Sequence, residues 1–184
     1  MADKKLASLL TEGVKTWNGW RRDHPQVIPQ LHGANISERD MRFVNLRGAN
    51  LPEALARKSD LTRADFSEAE LQHADFRDAN LAGAKFRCAS LCWADLSKAD
   101  LRYADLSGTA LVGANLRGAN LSETSLFGAV LSGADLRGVQ GLTWEQLGHT
   151  IGLEEAQLPE YLHSGRHFWA KIAIRAALNR PKTA

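Results

Sequence analysis

From Leu31 to Leu136 a large apolar residue returns at every fifth position, and that period constrains the fold more than any other property of the chain. The register runs through Ile36, Met41, Leu46 and Leu51, then from Leu61 and Phe66 without a break, with Ala56 the one small residue in it. On an α-helix a step of five turns by roughly 140°, which scatters the leucines around the cylinder. On a flat strand an odd step places successive leucines on opposite faces. The leucines meet only if the chain turns a corner after each five-residue piece. Two positions before each large residue sits a small one, mostly alanine, such as Ala64, Ala74, Ala84 and Ala94. Each piece therefore points two residues inward. Successive coils then stack by backbone hydrogen bonds about 4.8 Å apart. Glycines such as Gly48, Gly83, Gly108 and Gly113 fall two after the large residue, where a corner calls for positive φ. The pattern is that of a solenoid.

The repeated unit reads Ala-Asp-Leu-Ser-Lys or Ala-Asn-Leu-Arg-Gly. This A(D/N)LXX signature, carried by residues 31 to about 140, resembles the pentapeptide-repeat family. The resemblance implies an all-β solenoid: a right-handed quadrilateral β-helix with four units, or 20 residues, per turn. Periodicity alone does not choose four sides over three. With four, the repeats make about five and a half coils, a rod of roughly 26 Å.

Three segments follow: residues 1–30 as an N-terminal capping helix and lead-in, 31–141 as the repeat, and 142–184 as a C-terminal helical cap and tail. Residues 3–20 read as one amphipathic helix, with Leu6, Leu10, Val14 and Trp17 on its apolar side. An open solenoid end exposes core and strand edges, so a lid is expected there. This leader also resembles the Trp-rich segment preceding the coils in many bacterial family members. Within the repeat, Arg39 stands in an inward small-residue slot and is expected to snorkel out at the rim or to distort the first coil. Leu55 is expected to replace Ala56 inside through a local bulge. Thr143 to Gln146 reads as a capping box opening a helix through about Leu147. A last helix is expected from about Arg166 to Asn179, with Phe168, Trp169, Ile172 and Ala176 on a broad apolar surface suited to capping or homodimerisation.

The charge excludes some functions. Residues 31–140 carry 13 basic and 14 acidic side chains, so they form neither a basic nucleic-acid surface nor an acidic tail. Direct nucleic-acid binding is not expected. Cys88 and Cys92 are the only cysteines, and two free thiols fit a reducing interior. The start of the chain has too short an apolar run for a signal peptide, and no stretch of 18 apolar residues occurs, so a cytoplasmic location is expected. No nucleophile–base–orienter set is apparent, and no cofactor or metal is implied. His163 and His167 stand four apart but lack a third ligand.

Stacking by twenty instead predicts ladders. Arg57, Arg77, Arg117 and Arg137 align on one wall, with Asp75, Asp95 and Asp135 one strand step away. Neighbouring charges that neutralise one another explain this stripe, and docking of an acidic partner is the sharper alternative. A charge-poor wall places Trp93, Val112 and Val130 outward as a candidate contact patch. The sequence favours a non-enzymatic protein-binding scaffold with an unidentified protein partner. The family offers an alternative, DNA mimicry against DNA gyrase with quinolone resistance. It is disfavoured because mimicry needs a densely negative surface. A third reading attaches residues 166–178 to a membrane or a partner helix.

Overall fold

The computed structural model describes residues 3–163. Parallel bridges run from Gln30↔Asn50 to Asn120↔Gln140, and every one joins residues twenty apart. Four five-residue units therefore close each coil. Four walls result. The first is built on Gln30, Asn50, Glu70, Ser90, Ala110, Val130 and Ile151, and the second on Asn35, Leu55, Asp75, Asp95, Asn115, Asp135 and Gln157. The third runs from Asp40 to Gln140 and the fourth from Asn45 to Ser125. The last coil is longer, because Val130 pairs with Ile151 and Asp135 with Gln157.

One unit shows why this sequence makes this shape. Asp95 N–H donates to Ala74 O of the coil before (2.9 Å), while Phe76 N–H donates to Asp95 O (2.7 Å). The flanking Ala94 and Leu96 are fully buried. Ala99 N–H then closes a turn on Leu96 O, and Lys98 inside that turn has a φ of 59°. All 22 corners place their third residue at positive φ, nine with glycine and thirteen without. The recurrent Asp or Asn caps the corner. The carboxylate of Asp95 accepts from Ser97 N–H (2.9 Å), an amide the ladder leaves over. Asp65, Asn80, Asp105 and Asn120 do the same in their units.

The core is a stack of columns, filled by leucine and by one aromatic cluster. Phe66 and Phe86 stack at 5.0 Å, and Phe76 meets both edge-on. The hydroxyls in inward slots are satisfied: Ser59 Oγ donates to Ala56 O, Thr109 Oγ1 to Phe86 O and Thr124 Oγ1 to Leu101 O.

Three expectations need correcting or refining. No bulge brings Leu55 inward; it occupies a bridging position at the surface, and Ala56 is the fully buried residue. Holding the ladder register outweighs burial of one leucine, because a one-residue slip would turn the whole strand over. The N-terminal helix is two helices, α1 (Lys4–Thr11) and α2 (Val14–Asp23), broken at Gly13 with φ 125°. Arg39 is exposed, and its guanidinium donates to Thr11 O at the end of α1 (3.3 Å).

Helix α2 closes the first coil. Trp17 is fully buried and its Nε1–H donates to Asn45 O (2.7 Å). The Asn18 amide accepts from Asn45 N–H and donates to Phe43 O, both at 2.9 Å. Arg21 donates to Arg47 O (2.7 Å). At the other end the capping box forms as expected, opening α3 (Trp144–Leu147). A 3₁₀ turn (Leu153–Glu155) and α4 (Glu160–His163) follow, and Leu147, Leu153, Leu158 and Leu162 cover the last coil. The expected helix at 166–179 lies outside the described residues.

Candidate protein-binding surface

The four walls differ in chemistry because each presents only the bridging residue and the two corner residues of its units. On the second wall the expected stripe forms, and its charges pair. Asp75 accepts from Arg57 Nε (2.5 Å) and, through both carboxylate oxygens, from Arg77 (2.9 and 2.7 Å). Asp135 is held bidentate by Arg137 and lies 3.4 Å from Arg117. Hydrogen bonds from the Arg137 side chain outweigh burial and hold the Asp135 carboxyl down at about 2, against an ordinary value of 3.8. Arg137 is correspondingly raised. Each stripe arginine is thus engaged by a carboxylate, which leaves little free positive charge for an acidic partner.

Charge is close to balanced on three of the four walls. The second wall carries six basic and five acidic outward residues, the third three and four, the fourth three and three. The first wall has only Glu53 and Glu70, both on its early coils. No wall is densely negative.

From Ser90 onward the first wall has no charged outward residue in its repeats, and here the candidate Trp93, Val112 and Val130 come together. Trp93 occupies a corner with φ 62° and is 59% exposed. Its ring lies flat over Gly113 of the next coil, since a Cβ there would sit 2.2 Å from the ring. Glycine at that corner is what lets the indole lie down. Val112 stands beside Gly113, and Ala110, Val130 and Ile151 follow one another along the ladder. Ile151, half exposed, is a member that the five-residue register could not reveal, because it arrives one position late. The surface is apolar and shallow, suited to contact rather than to chemistry.

Other candidates stay separate. The Cys88 thiol is exposed at a fourth-wall corner, while Cys92 Sγ lies near Ser90 Oγ and Ala110 O on the first wall; both are free. No group of three or more His, Cys, Asp or Glu side chains is placed to hold a metal among the described residues. Among those residues no helix is long and apolar enough to cross a membrane. Phe168, Trp169, Ile172 and Ala176 lie outside the described residues, as does the side chain of His163.

The repeat also matches a known family directly. Eight copies of the pentapeptide-repeat family model match, over residues 30–67, 40–78, 74–111 and 104–139. The chain belongs to the pentapeptide-repeat family. Among solved structures, a pentapeptide-repeat protein of the Arabidopsis thaliana thylakoid lumen is 34% identical, with 59% of this chain and 71% of that one covered and a TM-score of 0.38. Rfr23, a pentapeptide-repeat protein of the cyanobacterium Cyanothece 51142, is 23% identical over 70% of this chain and 86% of its own, with a TM-score of 0.44. A trypsin-treated form of QnrB1, a plasmid-mediated fluoroquinolone resistance protein, is 20% identical over 78% of this chain and 90% of its own, with a TM-score of 0.35. No curated protein matches the chain significantly. In this pentapeptide-repeat protein the walls share one backbone, and only outward residues tell them apart.

Proposed function

We propose that this pentapeptide-repeat protein is a right-handed quadrilateral β-helix acting as a non-enzymatic scaffold, and that it binds a protein partner through the later half of its first wall. One observation carries the reading: Trp93, Val112, Val130 and Ile151 form a continuous uncharged surface, while charged residues on the second wall are paired with one another. Exposed apolar area of this kind, with a large aromatic at its edge, is the usual anchor of a protein interface. Imitation of DNA requires a strongly acidic wall, and the near-balanced second, third and fourth walls, with only two carboxylates on the first, speak against it.

A photo-crosslinking amino acid placed at Val112, and separately at Arg117 on the second wall, tests this in cells. The expected result is one captured protein from position 112 only, lost when Trp93→Glu is added. Equal capture from both walls, or none from the first, would overturn the assignment.

A further inference from the structure

Asn18 is the one asparagine of the chain that stands before a glycine. The other seven are followed by leucine, isoleucine or arginine. Inside the repeat that follower is the buried core residue of the unit, as with Leu46 after Asn45 and Leu116 after Asn115. The difference matters chemically. The peptide nitrogen of the next residue can attack an asparagine Cγ, and a bulky side chain on that residue obstructs the approach. Glycine has no Cβ and the widest choice of φ and ψ, so it obstructs least. The sequence thus puts its most reactive amide at the residue on which closing of the early end rests.

In the docked cap neither reactant is free. Asn18 Oδ1 accepts from Asn45 N–H and Nδ2 donates to Phe43 O, each at 2.9 Å, so the side chain is bonded to the solenoid rather than turned on its own backbone. Gly19 lies inside α2, where its N–H is committed to the carbonyl four residues back. The same helix is anchored on either side of this pair. Trp17 is fully buried with its Nε1–H on Asn45 O, and Arg21 donates to Arg47 O and Val27 O.

We propose that Asn18 is a deamidation site gated by the docking of α2, and that its reaction bars the return to the docked cap. When the cap opens, Gly19 N attacks Asn18 Cγ. The Cγ–Nδ2 bond breaks, the Gly19 amide proton leaves with the ammonia, and a succinimide ring remains. Water then opens the ring at one of its two carbonyls. Attack at Cγ yields aspartate, and attack at the backbone carbonyl yields an isoaspartyl link with one extra carbon in the main chain. Neither product can end the ladder. A carboxylate only accepts; it can still take Asn45 N–H, but it sets an oxygen against Phe43 O where a donor stood. The isoaspartyl link also breaks the hydrogen-bond register of α2. A reversible local opening is thereby made permanent. The reaction consumes only water and does not involve the first wall.

Mass spectrometry of the peptide holding residue 18 tests this, on the full chain kept at mildly alkaline pH in buffer and, as reference, in denaturing urea. Expected is conversion of Asn18 at least about tenfold slower in the folded chain than in the denatured one. Trp17→Ala, which removes the plug, is expected to convert faster than the wild type. Arg21→Gln loosens the same helix more mildly and is read in the same way should Trp17→Ala not fold. Adding Gly19→Ala, whose Cβ would meet only the Arg22 side chain at 3.8 Å outside its own helix backbone, is expected to suppress conversion in either background. In the deamidated fraction the Asn45 amide is expected to exchange fast. Folded wild type converting as fast as the denatured chain would overturn the gating, and so would loosened variants converting no faster than wild type. Slow Asn45 exchange in the deamidated fraction would overturn the loss of closure.

Discussion

The early and late ends of this solenoid meet the same physical problem and answer it differently. Each end exposes a rung of backbone donors and acceptors above an apolar column. At the early end one helix supplies both: Trp17 plugs the column, and Asn18, a side-chain amide with a donor and an acceptor, imitates the peptide group of a missing coil. At the late end Gln146 offers its amide donor to two carbonyls, and the neighbouring N–H groups go unanswered by the described residues. A side-chain amide can end a β-ladder cleanly only when both of its faces are used. Gln146 commits its carbonyl to Thr143 N–H within the capping box, so only its donor is left for the ladder.

Four perturbations break or sharpen that comparison. Both ends protect the same interior, so the largest effect comes from attacking it midway. Leu96→Asp puts an unpaired charge in the column between Phe76 and Leu116 and is expected to prevent folding, read as loss of the circular dichroism signal; a soluble variant with a native spectrum would contradict the inward register. Trp17→Ala removes the early plug and its hydrogen bond, and is expected to cost about 3–5 kcal/mol in urea unfolding. Gln146→Ala leaves two carbonyls facing a cleft that water can enter, so a smaller loss of about 1 kcal/mol is expected in the same experiment. An equal cost for the last two would mean that the ends are closed alike.

The smallest effect is in acid. The Asp135 carboxyl, held at about 2 by Arg137, stabilises the fold above its ordinary value near 3.8, and this contribution is lost as pH falls from there through about 2. Arg137→Gln removes the main cause of the depression. Asp135 should titrate higher in that variant, and the acid-unfolding midpoint followed by circular dichroism should move to higher pH. An unchanged midpoint would show that the pair does not couple to folding.

The period of five made most of the interior legible, and the same register placed Trp93, Val112 and Val130 outward on a charge-poor wall. It also exposed its own exceptions. Apolar content alone favours Leu55 over Ala56 for the inward slot, but in a ladder where each unit holds the next, register prevails. The repeating Asp and Asn were visible, but their capping of a corner amide follows only from the backbone path. Asn18 and Gln146 carry no periodic signal, since an end occurs once. The break at Gly13 does have a sequence signal, a glycine within a helical pattern, but the continuous apolar spacing of Leu10, Val14 and Trp17 across it masks the break.

Amide hydrogen exchange at Asn45, followed by NMR in the wild type and in Asn18→Ala, tests the closing of the early end most directly. The Asn45 amide is expected to exchange as slowly as that of Asp65 one coil below, and to become fast in the variant while Asp65 is unchanged. If Asn45 exchanges fast in the wild type, or keeps its protection without Asn18, the side-chain amide does not stand in for a coil.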